Sequence, residues 1–197
     1  GLYFYPTAVG STVDFAVLRY TGNGNYAGIS LNTVGISITN SIVEKGSSAA
    51  LHQLGGAGGA VVAGCTFRDN GGIAATNISV NSLEHFRDNI ALGNAGGNHT
   101  QVTNPTPVGD VVLGAENVIG DLLHLTTGIN VGAASSITFG EGMIIKVNPA
   151  IHLTCISGGL HFEGTAEAPI ILTSFYDDNV VGDSDLGVGP PASAGDW

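Results

Sequence analysis

The chain has 197 residues, enough to bury one sizeable core, with 31 glycines and only 11% of its residues charged. Sixteen acids against five bases give a net charge of -11, which disfavours nucleic acid and anionic membrane as partners. No apolar run approaches the ~18 residues that a membrane-spanning helix needs, so membrane insertion is not expected, and a 43% hydrophobic content is too high for the disorder class.

The first residues, Gly1-Leu2-Tyr3-Phe4-Tyr5, form an apolar strand entry, and the last, Gly195-Asp196-Trp197, form a turn. Joined end to start they make one continuous phrase. This predicts a period of a tandem array, or a unit that continues head to tail into an identical neighbour. Those eight residues are the expected junction, with the aromatic side chains as a seam rather than a sugar-stacking surface.

Alternating apolar residues follow at Val13/Phe15/Val17, Ile36/Ile38, Ile78/Val80, Ile129/Val131, Ile137/Phe139, Ile151/Leu153 and Ile170/Leu172, predicting short strands. The stretch starting at Ile36 aligns with the one starting at Ala60, an offset of 24, and the stretch from Val13 fits the same frame about 25 residues earlier. Phe67-Arg68-Asp69-Asn70 recurs as Phe86-Arg87-Asp88-Asn89, an offset of 19. A period of 20 to 25 is a solenoid signature. It predicts that Phe67 and Phe86 stack inward at one place in consecutive coils. Arg68/Asp69 and Arg87/Asp88 would share a corner, and Gly46, Asn70 and Asn89 would take the left-handed turn positions. Residues 80–92 form the one helix-period candidate, and the coil frame explains them better.

Residues 93–109 read as a loop excursion by composition. Strands with glycine turns then run to residue 175. The division predicted within a single unit is 1–92 (Asn-ended coils), 93–109 (loop), 110–175 (Gly-turn coils) and 176–197 (acidic loop and junction). Cys65 and Cys155 fall in apolar strand-like runs and read as small buried thiols. His152 and His161 alternate with apolar residues in neighbouring strands and read as outward-facing positions.

Ser136-Ile137-Thr138-Phe139-Gly140-Glu141-Gly142-Met143-Ile144-Ile145-Lys146, then Gly158 to Ser174, then Asp177-Asp178 and Gly195-Asp196-Trp197, resemble a module of bacterial surface proteins. Those proteins carry right-handed parallel β-helix, pectate-lyase-like regions. Glu141 and Leu172 depart from that pattern, and the order here is permuted. The resemblance implies an all-β right-handed parallel β-helix, a solenoid of about eight or nine coils with two loop excursions. It also implies an extracellular or cell-surface setting.

Asp177-Asp178-Asn179 and Asp183-Ser184-Asp185 are the candidate metal ligands. Alternating acids ahead of a glycine are how short calcium loops gather hard oxygens. Asp177, Asp178, Asp183 and Asp185 are the calcium candidates, against a solvated acidic turn, which the incomplete motif favours. The expected function is a structural fibre, stalk or adhesin repeat, with surface polysaccharide as a candidate partner and no enzymatic role. The alternative is a carbohydrate-active β-helix enzyme or a degenerate polysaccharide-binding relative. That enzyme would need paired carboxylates and basic residues on one face.

Overall fold

The computed structural model describes residues 1–23, 26–32, 35–55, 59–182, 184, 186–187 and 189–196. The chain winds as an all-β parallel solenoid of about seven turns, with almost no helix. The first coil holds β1 (Leu2–Phe4), β2 (Thr12–Asp14) and β3 (Val17–Arg19). The second holds β4 (Ile29–Leu31), β5 (Ser37–Thr39) and β6 (Ile42–Glu44), and the third β7 (Leu51–Gln53), β8 (Val61–Ala63) and β9 (Thr66–Arg68). The fourth holds β10 (Ala75–Ser79), the single helical turn α1 (Val80–Leu83), β11 (Phe86–Arg87) and β12 (Ile90–Leu92). Then come β13 (Thr100–Asn104), β14 (Asp110–Leu113) and a 3-10 turn at Ala115–Asn117. Two further coils hold β15 (Leu123–Leu125), β16 (Ile129–Val131) and β17 (Ser136–Gly140), then β18 (Ile144–Val147), β19 (Leu153–Cys155) and β20 (Gly159–Glu163). The last strand is β21 (Ile171–Ser174).

One eight-stranded parallel sheet, β1-β4-β7-β10-β13-β15-β18-β21, runs the length of the molecule. Two four-stranded sheets, β2-β5-β8-β11 and β3-β6-β9-β12, complete the first four coils, and β14-β17-β20 with β16-β19 replace them further on. The change of walls falls between Leu92 and Asp110. Just after β14 the 3-10 turn lies over β11, with Asp88 N–H donating to Glu116 O at 3.0 Å. Asn117 Nδ2 ties that turn down by donating to the carbonyls of Leu83 and Phe86.

Alternate side chains of each strand point inward and stack in register. Ile29, Leu51, Ala75, Thr100, Leu123 and Ile145 form one buried ladder along the long sheet. A side chain of that size contributes about 1.5–3 kcal/mol when fully buried. Thr100 fits because its hydroxyl donates to Ile119 O at 3.0 Å and accepts from Ile119 N at 2.8 Å.

The 24-residue and 25-residue offsets are the true register, with Ile38 on Val62 and Val13 on Ile38. The 19-residue offset is not. Phe86 stacks on Val62, whereas Phe67 lies between Val43 and Ala91 on the next wall. The phrase Phe-Arg-Asp-Asn recurs at two successive corners of the coil, so the two Arg-Asp pairs do not share one.

The left-handed positions are also one residue earlier than expected. One corner column is Phe15, Asn40, Gly64 and Asp88, with φ of 49, 48, 62 and 54°. The other is Tyr20, Lys45, Asp69 and Gly93, with φ of 53, 55, 54 and 64°. The next residue turns inward instead. Asn94 Oδ1 accepts from Asn70 N–H at 3.0 Å, and Asn94 Nδ2 donates to Phe67 O at 2.9 Å. Asn70 repeats the pattern on Gly46 N–H and Val43 O. These buried amides satisfy the main-chain groups that each corner frees from the ladder. Gly46 completes the column because a Cβ there would lie 2.7 Å from Thr21 O.

Two further expectations are corrected. The number of turns is about seven, because coils of 22 to 27 residues and the long excursion after Ser174 use up the chain. Residues 93–109 are not all loop, since β13 lies within them. Its buried Thr100 and Val102 continue the core ladder despite polar composition around them. The helix-period candidate supplies only the four residues of α1.

The two ends differ from the middle. β1, β2 and β3 are terminal strands at one end, and β19, β20 and β21 at the other. The core residues there are only partly buried: Phe4, Ala8, Val13 and Leu18 at the first end, Ile151, Leu153, Leu160, Ile170 and Leu172 at the second.

Candidate functional site

The middle residue of each long-sheet strand points outward, so successive coils build an outer row. Tyr3, Ser30 and His52 are in register, as are Gln101, His124, Lys146 and Thr173. Thr76 pairs with His52, and its hydroxyl donates to Gln101 Oε1 at 2.6 Å, which joins the two stretches. An outward row on a solenoid wall is normally solvated. Here its far end is covered, because the chain after β21 folds back across it.

Phe175 starts that cover. Its ring stacks on His124 with centroids 3.7 Å apart and planes 7° from parallel, and His99 meets both rings edge-on. His124 Nε2 lies 2.8 Å from Asn148 Oδ1. Burial, as the leading cause, lowers the pKa of His99 and of His124 to about 4, with neighbouring Lys146 adding to the effect. Both imidazoles are therefore neutral at physiological pH.

Lys146 is fully buried. Its ammonium donates to Asp177 O at 2.7 Å, to Gly182 O at 3.2 Å and to Ser184 Oγ at 2.7 Å. The acidic loop thus directs its oxygens at a cation that the chain itself carries. Such a charge is tolerable inside only because it is hydrogen-bonded this fully.

Of the calcium candidates, Asp183 and Asp185 lie outside the described residues. Asp177 accepts from Thr173 Oγ1 at 2.7 Å and from Asn179 N–H at 3.1 Å. The Thr173 hydroxyl in particular holds its carboxyl below the usual carboxylate range. Asp178 is exposed. Among the described residues no group of three or more His, Cys, Asp or Glu side chains is placed to hold a metal.

The expected junction residues are at opposite ends of the molecule. Leu2, Tyr3 and Phe4 are the edge strand of the long sheet, with Gly1 and Tyr5 beside them. At the other end Asp196 takes hydrogen bonds from Ser193 N–H at 2.7 Å, Ser193 Oγ at 2.9 Å and Ser174 Oγ at 3.3 Å, and its carbonyl accepts from Ala150 N–H at 3.0 Å. Gly195 turns beside it with φ 94°. Trp197 lies outside the described residues.

The other candidates separate in space. Cys65 is buried, but Cys155 is exposed at the outer coil, contrary to the sequence expectation. His152 and His161 both face outward, and His161 pairs with Thr138 rather than with His152. Arg68 reaches the buried Glu44 at 2.5 Å, and Arg19 reaches it from the coil on the other side. The bond from Arg68, with help from Arg19, holds the Glu44 carboxyl below its ordinary range. This ion ladder binds coils together.

No family model, curated protein or solved structure matches the chain. The covered row of Gln101, His124 and Lys146 escaped the sequence reading. Its signal was present, since these residues recur at intervals of 23 and 22. Polar residues at the coil period look solvated until the fold-back is known.

Proposed function

We propose that the chain is a structural segment of an extracellular or cell-surface fibre, stalk or adhesin repeat, with no catalytic role. The observation that carries this is the in-register stacking of parallel coils, with one eight-stranded sheet running the length of the molecule. The terminal coils present strand edges over partly buried core residues. Strand edges of that kind pair with further strands, and solenoids otherwise carry polar caps. A longer polypeptide or an identical unit would present the same edges, and head-to-tail stacking of identical units is the partner arrangement proposed. The resemblance of residues 136–197 to bacterial surface β-helix modules supports the same setting.

Analytical ultracentrifugation of the 197-residue chain tests the stacking. Concentration-dependent association is expected, and Leu18→Lys or Leu160→Lys, one at each end, should reduce it by about tenfold or more. A clean monomer at high concentration would overturn the proposal.

A further inference from the structure

Four of the five tyrosines in the chain line one cleft. Tyr3, Tyr5, Tyr20 and Tyr26 surround a space of about 570 Å³ together with Gly22, Asn23 and Ser30. The cleft lies at the first coil, with Gly1, Leu2 and Ala27 also in its lining, and Tyr3 is in register with Ser30.

The rings are presented rather than buried. Tyr20 is 75% exposed, Tyr5 66% and Tyr26 58%. Tyr3 and Tyr5 pack against each other with centroids 4.6 Å apart, and Asn32 Nδ2 donates to the Tyr3 hydroxyl at 3.3 Å. Tyr20 occupies a left-handed corner, φ 53°, where its column holds Lys45, Asp69 and Gly93. No charged side chain lines the cleft among the described residues.

We infer that this cleft binds a neutral saccharide. Pyranose rings offer an apolar C–H face to stack on tyrosine and hydroxyls to bond with Asn23, Ser30 and the phenols. The volume lies in the range of small-molecule sites. Tyrosine supplies large amphipathic contact area at low entropic cost. The net charge of -11 repels an acidic sugar. The inference does not rest on the fibre reading, although Tyr3 and Tyr5 are also expected junction residues, so a saccharide and a stacked copy would compete for the same rings.

The test is titration of dilute monomer with cellohexaose, mannohexaose, chitohexaose, a galacturonic acid hexamer and a polyproline decapeptide. Tyrosine ring resonances and calorimetry are the readouts. At least one neutral hexasaccharide should bind and shift the Tyr20 and Tyr26 rings. Tyr20→Asn with Tyr26→Ser should weaken that binding at least tenfold at an unchanged circular dichroism spectrum. Asn suits the left-handed corner, and both side chains are exposed, so the fold should hold. The inference is overturned if no neutral hexasaccharide binds, if the double variant binds equally well, if the acidic hexamer binds as tightly, or if only polyproline binds. Loss of self-association in the double variant without any saccharide binding would make the cleft a seam between copies, which also overturns it while leaving the fibre reading intact.

Discussion

Phe67 is completely buried between Val43 below and Ala91 above, so its ring fills core that neither neighbour can reach. Phe67→Ala should destabilise the chain by about 3–5 kcal/mol, read as a shift of the thermal or denaturant midpoint. A neutral result would mean that the wall register is wrong. His99 and His124 give a second residue-scale expectation. Their folded pKa values, about 4, lie below the ordinary 6.5, so the unfolded chain binds more protons between those values. Stability is then full above pH 6.5 and falls as pH drops toward 4, with a slope of about 1.4 kcal/mol per pH unit for each histidine. His52 acts in the same direction through burial. The lowered carboxyls of Asp14, Glu44, Asp177 and Asp196 also lose their contribution on acidification, but only below their unfolded values of about 4. Denaturant midpoints between pH 7 and 5 therefore isolate the histidines, and His99→Gln with His124→Gln should flatten that slope.

Among the elements, the excursion after β21 is held differently from the coils. A coil is fixed by ladder bonds above and below it, whereas the excursion is held by the Lys146 ammonium, the Phe175 ring on His124, the Thr173–Asp177 bond and Ala150 N–H on Asp196. Lys146→Met should leave the carbonyls of Asp177 and Gly182 without that donor, at a cost of about 1–3 kcal/mol. Hydrogen exchange should speed up over residues 177–187 and stay unchanged in β4 to β9. Because the ammonium already gathers loop oxygens, a chelator should leave wild-type exchange there unaltered. Loss of protection on chelation would restore calcium as the element that closes the loop.

At the scale of the whole molecule, each coil contacts only its neighbours, so stability is close to a sum of coil terms and nearest-neighbour terms. The end coils lack one neighbour each. Leu18 and Leu160 lie on those faces, partly buried and stacked on Val43 and Ile137 respectively. A lysine at either place puts a charge where the next coil would continue the core, which is why these positions report on stacking rather than on the fold of the middle coils. The ion ladder of Arg19, Glu44 and Arg68 crosses three coils and helps fix their register, though its arginines are partly solvated and so add little.

The solenoid is legible in the pattern of the chain alone. Alternating apolar residues need two covered faces or one, and their recurrence at 24 and 25 residues leaves stacked parallel coils as the way to cover them. The sequence could not separate true register from a similar phrase. Phe-Arg-Asp-Asn serves two corners of one coil equally well, and only the pairing of Phe86 with Val62 decides between them. Nor could it place the acidic loop, whose carbonyls and hydroxyl meet Lys146 across 31 to 38 residues. Local spacing reads the ligands a segment could offer. Which cation they meet depends on a fold-back that brings distant coils together, and the tertiary structure alone decides that.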